Sequence, residues 1–257
     1  MKQHVPIYLV SLDSDSQRRQ ELSSRFPGSY PSMEWIRATD GRKLHAATYF
    51  KLVFPAVSAG FRMLSPAEVG CSLSHIEVLK RFLDSAHERC LVIEDDVLGK
   101  DEGVNVAIEQ MLEVPGNAVV IFGGQEGMPS RKYILGKAAG FGRVYRLPKY
   151  SNNYVLRTCC YGVTRESAKA ILDSHDQCLK LADAWGEFFK CAPIDIYFSE
   201  VFSHPEDRSA SHIEQSRIAI GKSSKGSAVL FLKKRWARLK RKLGALACLL
   251  MGYRRVS

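Results

Sequence analysis

No acidic residue follows Glu214. The stretch from Gln215 to Ser257 carries 12 of the chain's 37 Lys and Arg, so residues 1–214 hold 25 basic against 27 acidic groups. The net charge of +10 therefore belongs to the tail, and a polyanionic partner is expected there rather than on the near-neutral body. No uninterrupted apolar run approaches ~20 residues, which excludes a chain that crosses a membrane repeatedly. The apolar stretch within Met1–Val10 is too short for a secretion signal and reads as the first strand of a cytoplasmic protein. The seven cysteines, at 71, 90, 159, 160, 178, 191 and 248, are odd in number and contain no Cys-x-x-Cys pair. Buried free thiols in a reducing compartment are expected, and Cys and His at zinc-ligand spacing are read as absent. There is no Gly-x-x-x-x-Gly-Lys phosphate loop and no internal repeat. With 257 residues, 46% of them hydrophobic, the chain can bury a sizeable core, and collagen-like, disordered and disulfide-scaffold classes are excluded.

The patterns that are present alternate between strand and helix. Ile7-Tyr8-Leu9-Val10, Cys90-Leu91-Val92-Ile93, Val119-Val120-Ile121-Phe122 and Cys159–Val163 read as strands covered on both faces. Ser65-Pro66-Ala67-Glu68 combines an N-cap serine, a proline at the first helical position and a glutamate three residues on. Apolar residues at Val69, Leu73, Ile76, Leu79 and Phe82 extend that helix to about Ser85. A helix is expected at Ala107–Leu112, and another from a Thr164 cap to Leu172. Asp40-Gly41 marks a turn, Pro55 and Gly60 argue against one long helix over 44–64, and 123–150 reads as loop with room for a hairpin. This alternation predicts an α/β domain with a mostly parallel central sheet.

The tail differs. Leu232, Trp236, Leu239, Leu243, Leu246 and Leu250 recur at steps of four and three, interleaved with Lys233, Lys234, Arg235, Arg238, Lys240, Arg241 and Lys242. This predicts a basic amphipathic helix lying on an anionic membrane surface, with a partner-binding helix and a helix packed on the body as the alternatives. A body without a basic stripe argues against a nucleic-acid partner. The chain is thus divided into a domain at 1–214 and a basic tail at 215–257.

Three adjacent carboxylates, Glu94-Asp95-Asp96, follow the second strand. At the carboxyl end of a buried strand such mutual repulsion suits a bound divalent cation, and open α/β sheets bind ligands at that edge. Alternation along an extended backbone puts Glu94 and Asp96 on one side, as metal ligands, with Asp95 on the other.

Two segments together carry a resemblance. Leu64–His75, reading Leu-Ser-Pro-Ala-Glu-Val-Gly-Cys-Ser-Leu-Ser-His, and Leu91–Val97, reading Leu-Val-Ile-Glu-Asp-Asp-Val, resemble glycosyltransferase family 25, the bacterial lipooligosaccharide-biosynthesis transferases. Val5–Asp13 with Arg18-Arg19, Ala38–Arg42, Cys160–Val163, Ala182–Trp185 and Pro193–Asp195 resemble further motifs of that family in order, while 123–158 matches none. The resemblance implies a GT-A-like nucleotide-sugar fold, Mn²⁺ or Mg²⁺, a UDP-sugar donor, inversion at the anomeric carbon and, as in many members, β-galactosyl transfer.

Roles follow for individual residues. Metal-held leaving oxygens fall to Asp96 and Glu94. Asp95 faces sugar or ribose hydroxyls, Arg18 or Arg19 holds phosphate, and Asp13 and His75 complete the donor-binding set. Asp183 and Asp195 are the alternative general bases, with Trp185 available to stack on a sugar face. His204 and His212 are further possible metal contacts. The expected acceptor is a glycan or glycolipid at the inner face of the cell membrane. Two other readings stay open: a phosphoryl or nucleotidyl transferase using the same carboxylates, and an inactive membrane-bound relative.

Overall fold

The computed structural model describes residues 4–205 and 228–256. A nine-stranded sheet runs in the order β2-β1-β3-β7-β4-β8-β6-β5-β9. Its strands are β1 (Ile7–Ser11), β2 (Met33–Arg37), β3 (Arg89–Glu94), β4 (Ala118–Gly123), β5 (Leu135–Ala138), β6 (Tyr145–Arg146), β7 (Cys160–Thr164), β8 (Asp195–Phe202) and β9 (Arg254–Arg255). The helices are α1 (Ser16–Arg25), α2 (Ala46–Ser58), α3 (Pro66–Asp84), α4 (Asp101–Glu113), α5 (Arg165–Gln177), α6 (Trp185–Phe188) and α7 (Ala228–Leu250).

The period of two along the strands sorts the core into two layers. Tyr8, Val10, Cys90, Val92, Val119 and Ile121 point to one face, where Val78, Leu79 and Phe82 of α3 and Ala168 and Ile171 of α5 cover them. Ile7, Leu9, Leu91, Ile93, Val120 and Phe122 point to the other, against Leu22 of α1 and Val104, Ala107 and Met111 of α4. Each large side chain so buried contributes about 1.5–3 kcal/mol.

The α/β expectation is met, and the sheet is mixed. β1 pairs in parallel with β2 and β3, and β4 with β8. β7, the strand expected at 159–163, runs antiparallel between β3 and β4. Because β3 and β4 both oppose β7, the carboxyl ends of β1, β3, β4 and β8 share one edge of the sheet. That edge carries the acidic cluster.

The capping box at α3 forms as expected. Ser65 Oγ accepts from the Glu68 amide at 3.3 Å, and Glu68 Oε2 accepts from the Ser65 amide at 2.8 Å. Pro55 lies inside α2, which stops at Ser58, before Gly60 at φ 86°. The region from 123 does contain a hairpin, with Lys137 opposite Arg146.

The C-terminal segment returns to the body. β9 pairs with β5, Val256 enters the first core layer, and Tyr150 Oη donates to the Arg241 carbonyl at 2.7 Å. The face of α7 that packs inward holds Gly244, against the Tyr150 ring, and the buried Cys248. The apolar stripe foreseen from the sequence points away: Trp236 is 59% exposed and Leu250 81%, with Leu239, Leu243 and Leu246 also exposed. Among the described residues no helix is long and apolar enough to cross a membrane. The 214/215 boundary and His212 lie outside the described residues.

Candidate active site

The cleft at the carboxyl edge is open to solvent, has a volume of about 140 Å³ and is walled by the turn after β1, the Thr39–Arg42 segment, the first turns of α3 and the Glu94–Asp96 corner. Two glycines set how closely the walls meet. A Cβ on Gly70 would stand 2.4 Å from both the Thr39 carbonyl and the Gly41 amide nitrogen, and one on Gly41 would stand 1.8 Å from the Pro66 carbonyl. Backbone therefore packs on backbone there, and Ser74 Oγ ties the two by accepting from the Thr39 amide at 2.8 Å.

The acidic triplet is arranged differently from the strand alternation expected. β3 ends at Glu94, and the Val97 amide donates to the Glu94 carbonyl at 3.3 Å, closing a turn. Alternation stops where the strand stops, so Glu94, Asp95 and Asp96 all line the cleft. Arg18 reaches Asp95 at 3.2 Å and Asp96 at 3.8 Å. Burial pushes the Asp95 carboxyl up to about 6, with the Asp96 charge adding to the rise and hydrogen bonding from Ser11 and the charge of Arg18 opposing it.

Asp96 has a second cationic neighbour. His204, just beyond β8, places Nε2 3.3 Å from Asp96 Oδ2, while its Nδ1 lies 2.8 Å from the Pro205 carbonyl. Burial opposes a charge on each member of this pair. The hydrogen bond between them and the charges of Arg18 and Arg157 overcome that for Asp96, whose pKa falls; the Asp96 carboxylate does so for His204, whose pKa rises. The other Asp96 oxygen, Oδ1, is buried and has no hydrogen-bond partner. A buried carboxylate oxygen left unpaired beside an imidazole is a donor set that fits a hard divalent ion.

Glu94, expected beside Asp96 as the second metal carboxylate, turns elsewhere. Its Oε1 is 3.1 Å from His75 Nε2 and accepts from Thr158 Oγ1. His75 is buried, and its Nδ1 lies 2.9 Å from the Tyr161 hydroxyl, so both ring nitrogens are engaged in the cleft's inner wall.

Three other expectations are corrected. Asp13 faces solvent with its side chain 67% exposed, 3.6 Å from Arg37, and Asp15 lines the cleft instead. Arg19 stacks 4.1 Å over the Trp35 ring and donates to Ser11 Oγ and the Leu12 and Asp13 carbonyls, so it holds the turn after β1 rather than a phosphate. Asp195 begins β8, level with Ala118 at the start of β4, and pairs with Arg146 at 2.9 Å. That is the opposite edge of the sheet, about a strand length of ~17 Å from Glu94. Asp183 remains near the cleft: it accepts from the Arg157 amide at 2.8 Å, and its charge reaches Arg62 and Cys71. Trp185 is a core residue rather than a sugar platform, buried edge-on against Tyr161 with its indole donating to the Arg157 carbonyl at 3.3 Å.

Sequence reasoning missed Arg157, the one non-glycine residue with positive φ (68°) among the described residues. Its amide, carbonyl and guanidinium are all held, the last donating to the Gly124 carbonyl at 2.6 Å. A left-handed backbone so tightly determined beside a carboxylate cluster is characteristic of functional sites. It also missed the Cys71/His75 pair, one helical turn apart, which the fold brings to Glu94.

This is an α/β sheet with a carboxylate-lined cleft at the carboxyl ends of its parallel strands, the fold class that the alternation of strands and helices predicted. Residues 4–118 match the model of glycosyltransferase family 25 (LPS biosynthesis protein), which bears out the resemblance carried by the segments around His75 and Glu94–Asp96. A mosquito glycosyltransferase 25 family member (Aedes aegypti) is 21% identical over 222 residues, covering 82% of this chain and 33% of the relative. Human procollagen galactosyltransferase 2 is 30% identical over 96 residues, 35% of this chain and 15% of the relative. The chain thus spans a third or less of these relatives' length. A crystal structure of mannose-1-phosphate geranyltransferase from Thermus thermophilus superposes with a TM-score of 0.42 at 16% identity, over 80% of this chain and 76% of that one.

Proposed function

We propose that this protein is a metal-dependent inverting glycosyltransferase that moves a sugar, galactose by family analogy, from a UDP-sugar to a lipooligosaccharide or related glycan acceptor. The observation that carries the reading is the unpartnered, buried Asp96 Oδ1 beside His204 in the cleft. Asp96 and His204 would hold Mn²⁺ or Mg²⁺, and the ion, when bound, supplies positive charge for the diphosphate oxygens. Arg18, on the first helix and facing the cleft, supplies a second cation to the phosphates through charge-assisted hydrogen bonds. Asp95, ionised above its pKa of about 6, accepts from hydroxyls of the ribose or the sugar.

Asp183 is the carboxylate assigned to the acceptor. As the acceptor oxygen attacks the anomeric carbon, the bond to the diphosphate breaks, the leaving oxygen keeps the electron pair, and the hydroxyl proton passes to Asp183. The Arg157 amide, donating to Asp183 Oδ2, orients that carboxylate. Calorimetry with the full chain tests the reading: UDP with Mn²⁺ present is expected to give measurable heat, and UDP with chelator is expected to give at least tenfold weaker binding. No difference between the two titrations overturns the metal role.

The site of action is read from α7. Its outward stripe of Trp236, Leu239, Leu243 and Leu246 is flanked by exposed Arg235, Arg238, Lys240 and Lys242. That combination supports docking on an anionic lipid surface at the inner membrane face, with each cation contributing about 1 kcal/mol. The full chain is expected to sediment with phosphatidylglycerol vesicles but not with phosphatidylcholine vesicles. A Leu243→Asp/Leu246→Asp double variant is expected to stay in the supernatant; equal sedimentation of variant and wild type removes the argument.

A further inference from the structure

We propose that Cys71, His75 and Glu94 form a binding site for a soft divalent cation of the zinc class, distinct from the Asp96–His204 pair. One donor atom from each of the three lies within 4.8 Å of the others. An ion bound at about 2.0–2.3 Å in tetrahedral geometry needs donors roughly 3.3–3.8 Å apart, so small side-chain rotations close the set. Cys71 and His75 stand four residues apart on α3 and therefore share a face. Glu94 meets them from the end of β3. The expectation from the sequence, that no Cys and His stand at ligand spacing, is corrected here. The signal was a single Cys-x-x-x-His on a helix, which means nothing until the sheet supplies the carboxylate.

The chemistry of the donors selects the ion. Mn²⁺ and Mg²⁺ prefer oxygen, whereas a thiolate with an imidazole and one carboxylate suits Zn²⁺ or Co²⁺. The partners needed to orient the ligands are also in place. His75 Nδ1 lies 2.9 Å from the Tyr161 hydroxyl, the kind of contact that fixes the tautomer of a ligating histidine and leaves Nε2 for the ion. Nε2 lies 3.1 Å from Glu94 Oε1, so the cation enters between two atoms already in contact, and a proton displaced from Nε2 passes to Nδ1, where the Tyr161 hydroxyl oxygen accepts its hydrogen bond. Thr158 Oγ1 donates to the same carboxylate and holds it. Burial, and after it the charges of Glu94, Asp183, Asp96 and Glu68, keep the Cys71 thiol protonated until a cation arrives, and the same negative field attracts that cation. All three ligands line the cleft, which gives the ion an entry path. As the sulfur–metal bond forms, the thiol proton leaves to solvent.

The inference does not depend on the proposed transfer reaction, and cobalt separates the two. Titration of the chelator-treated full chain with Co²⁺ is expected to produce a thiolate-to-cobalt charge-transfer band in the near ultraviolet, with tetrahedral d–d bands in the visible, both displaced by Zn²⁺. Cys71→Ser is expected to abolish the charge-transfer band and to weaken Zn²⁺ binding at least about 100-fold. Asp96→Asn is expected to keep the band. A wild type without the band overturns the site, as does a Cys71→Ser protein that retains it or an Asp96→Asn protein that loses it. A measurement without variants stands behind these: one equivalent of Zn²⁺ is expected to protect Cys71 of the wild type from alkylation, read by peptide mass, and unprotected Cys71 also overturns the proposal.

Discussion

Asp96→Asn is expected to lower sugar transfer by roughly a thousandfold, about 4 kcal/mol of lost transition-state stabilisation. The substitution keeps the shape of the side chain and removes its charge. Asp96 Oδ1 has no hydrogen-bond partner, and Oδ2 meets His204 and, more distantly, Arg18. Little of the fold therefore rests on the carboxylate, and thermal unfolding is expected to shift by only a few degrees. The loss should appear in turnover and in the Mn²⁺-dependent part of UDP binding together. A folded Asp96→Asn protein with wild-type transfer would end the assignment of the metal to this corner. Asp195→Asn provides the contrast. Asp195 pairs with Arg146 at the other edge of the sheet, and its replacement is expected to leave transfer within a factor of two.

Gly70→Ala is expected to destabilise the protein by about 3 kcal/mol or more, the upper end for overpacking. Most overpacked sites yield because a neighbouring side chain rotates away. Here the two atoms that a Cβ would meet at 2.4 Å, the Thr39 carbonyl oxygen and the Gly41 nitrogen, are both backbone. α3 would have to move off the Thr39–Arg42 wall, breaking the Ser74 link and opening the cleft, so the denaturant midpoint and UDP affinity should fall together. Gly116→Ala is the control, because nothing lies within 4 Å of a Cβ at that position. Equal midpoints for the Gly70 and Gly116 variants would show that the two walls are not in contact in solution.

The elements most legible in the sequence were those governed by neighbours along the chain. Ser65 and Glu68 announced the start of α3 because a capping box needs only residues three apart. The strands at 7–11, 89–94 and 118–123 were visible as apolar runs, since a strand covered on both faces has no polar side to show. The resemblance to glycosyltransferase family 25 was visible in the same way, in two short ordered segments around His75 and Glu94. Misreadings began where a local rule ran past its element. Alternation was applied to Asp95 and Asp96, although the chain had already turned at Glu94.

By itself the sequence determined that this is an α/β domain with a carboxylate cluster at the end of a buried strand and a basic tail bearing an apolar stripe. Each of those follows from periodicity, capping or composition within a few turns of chain. Only the tertiary structure decided which side chains meet there. His204 reaches Asp96 from the far end of another strand, Arg157 and Thr158 arrive with a strand that runs antiparallel between two others, and Asp195 is carried to the far edge. No spacing along the chain encodes these meetings, because they depend on strand order and direction, which the packing of the two core layers sets for the whole sheet at once.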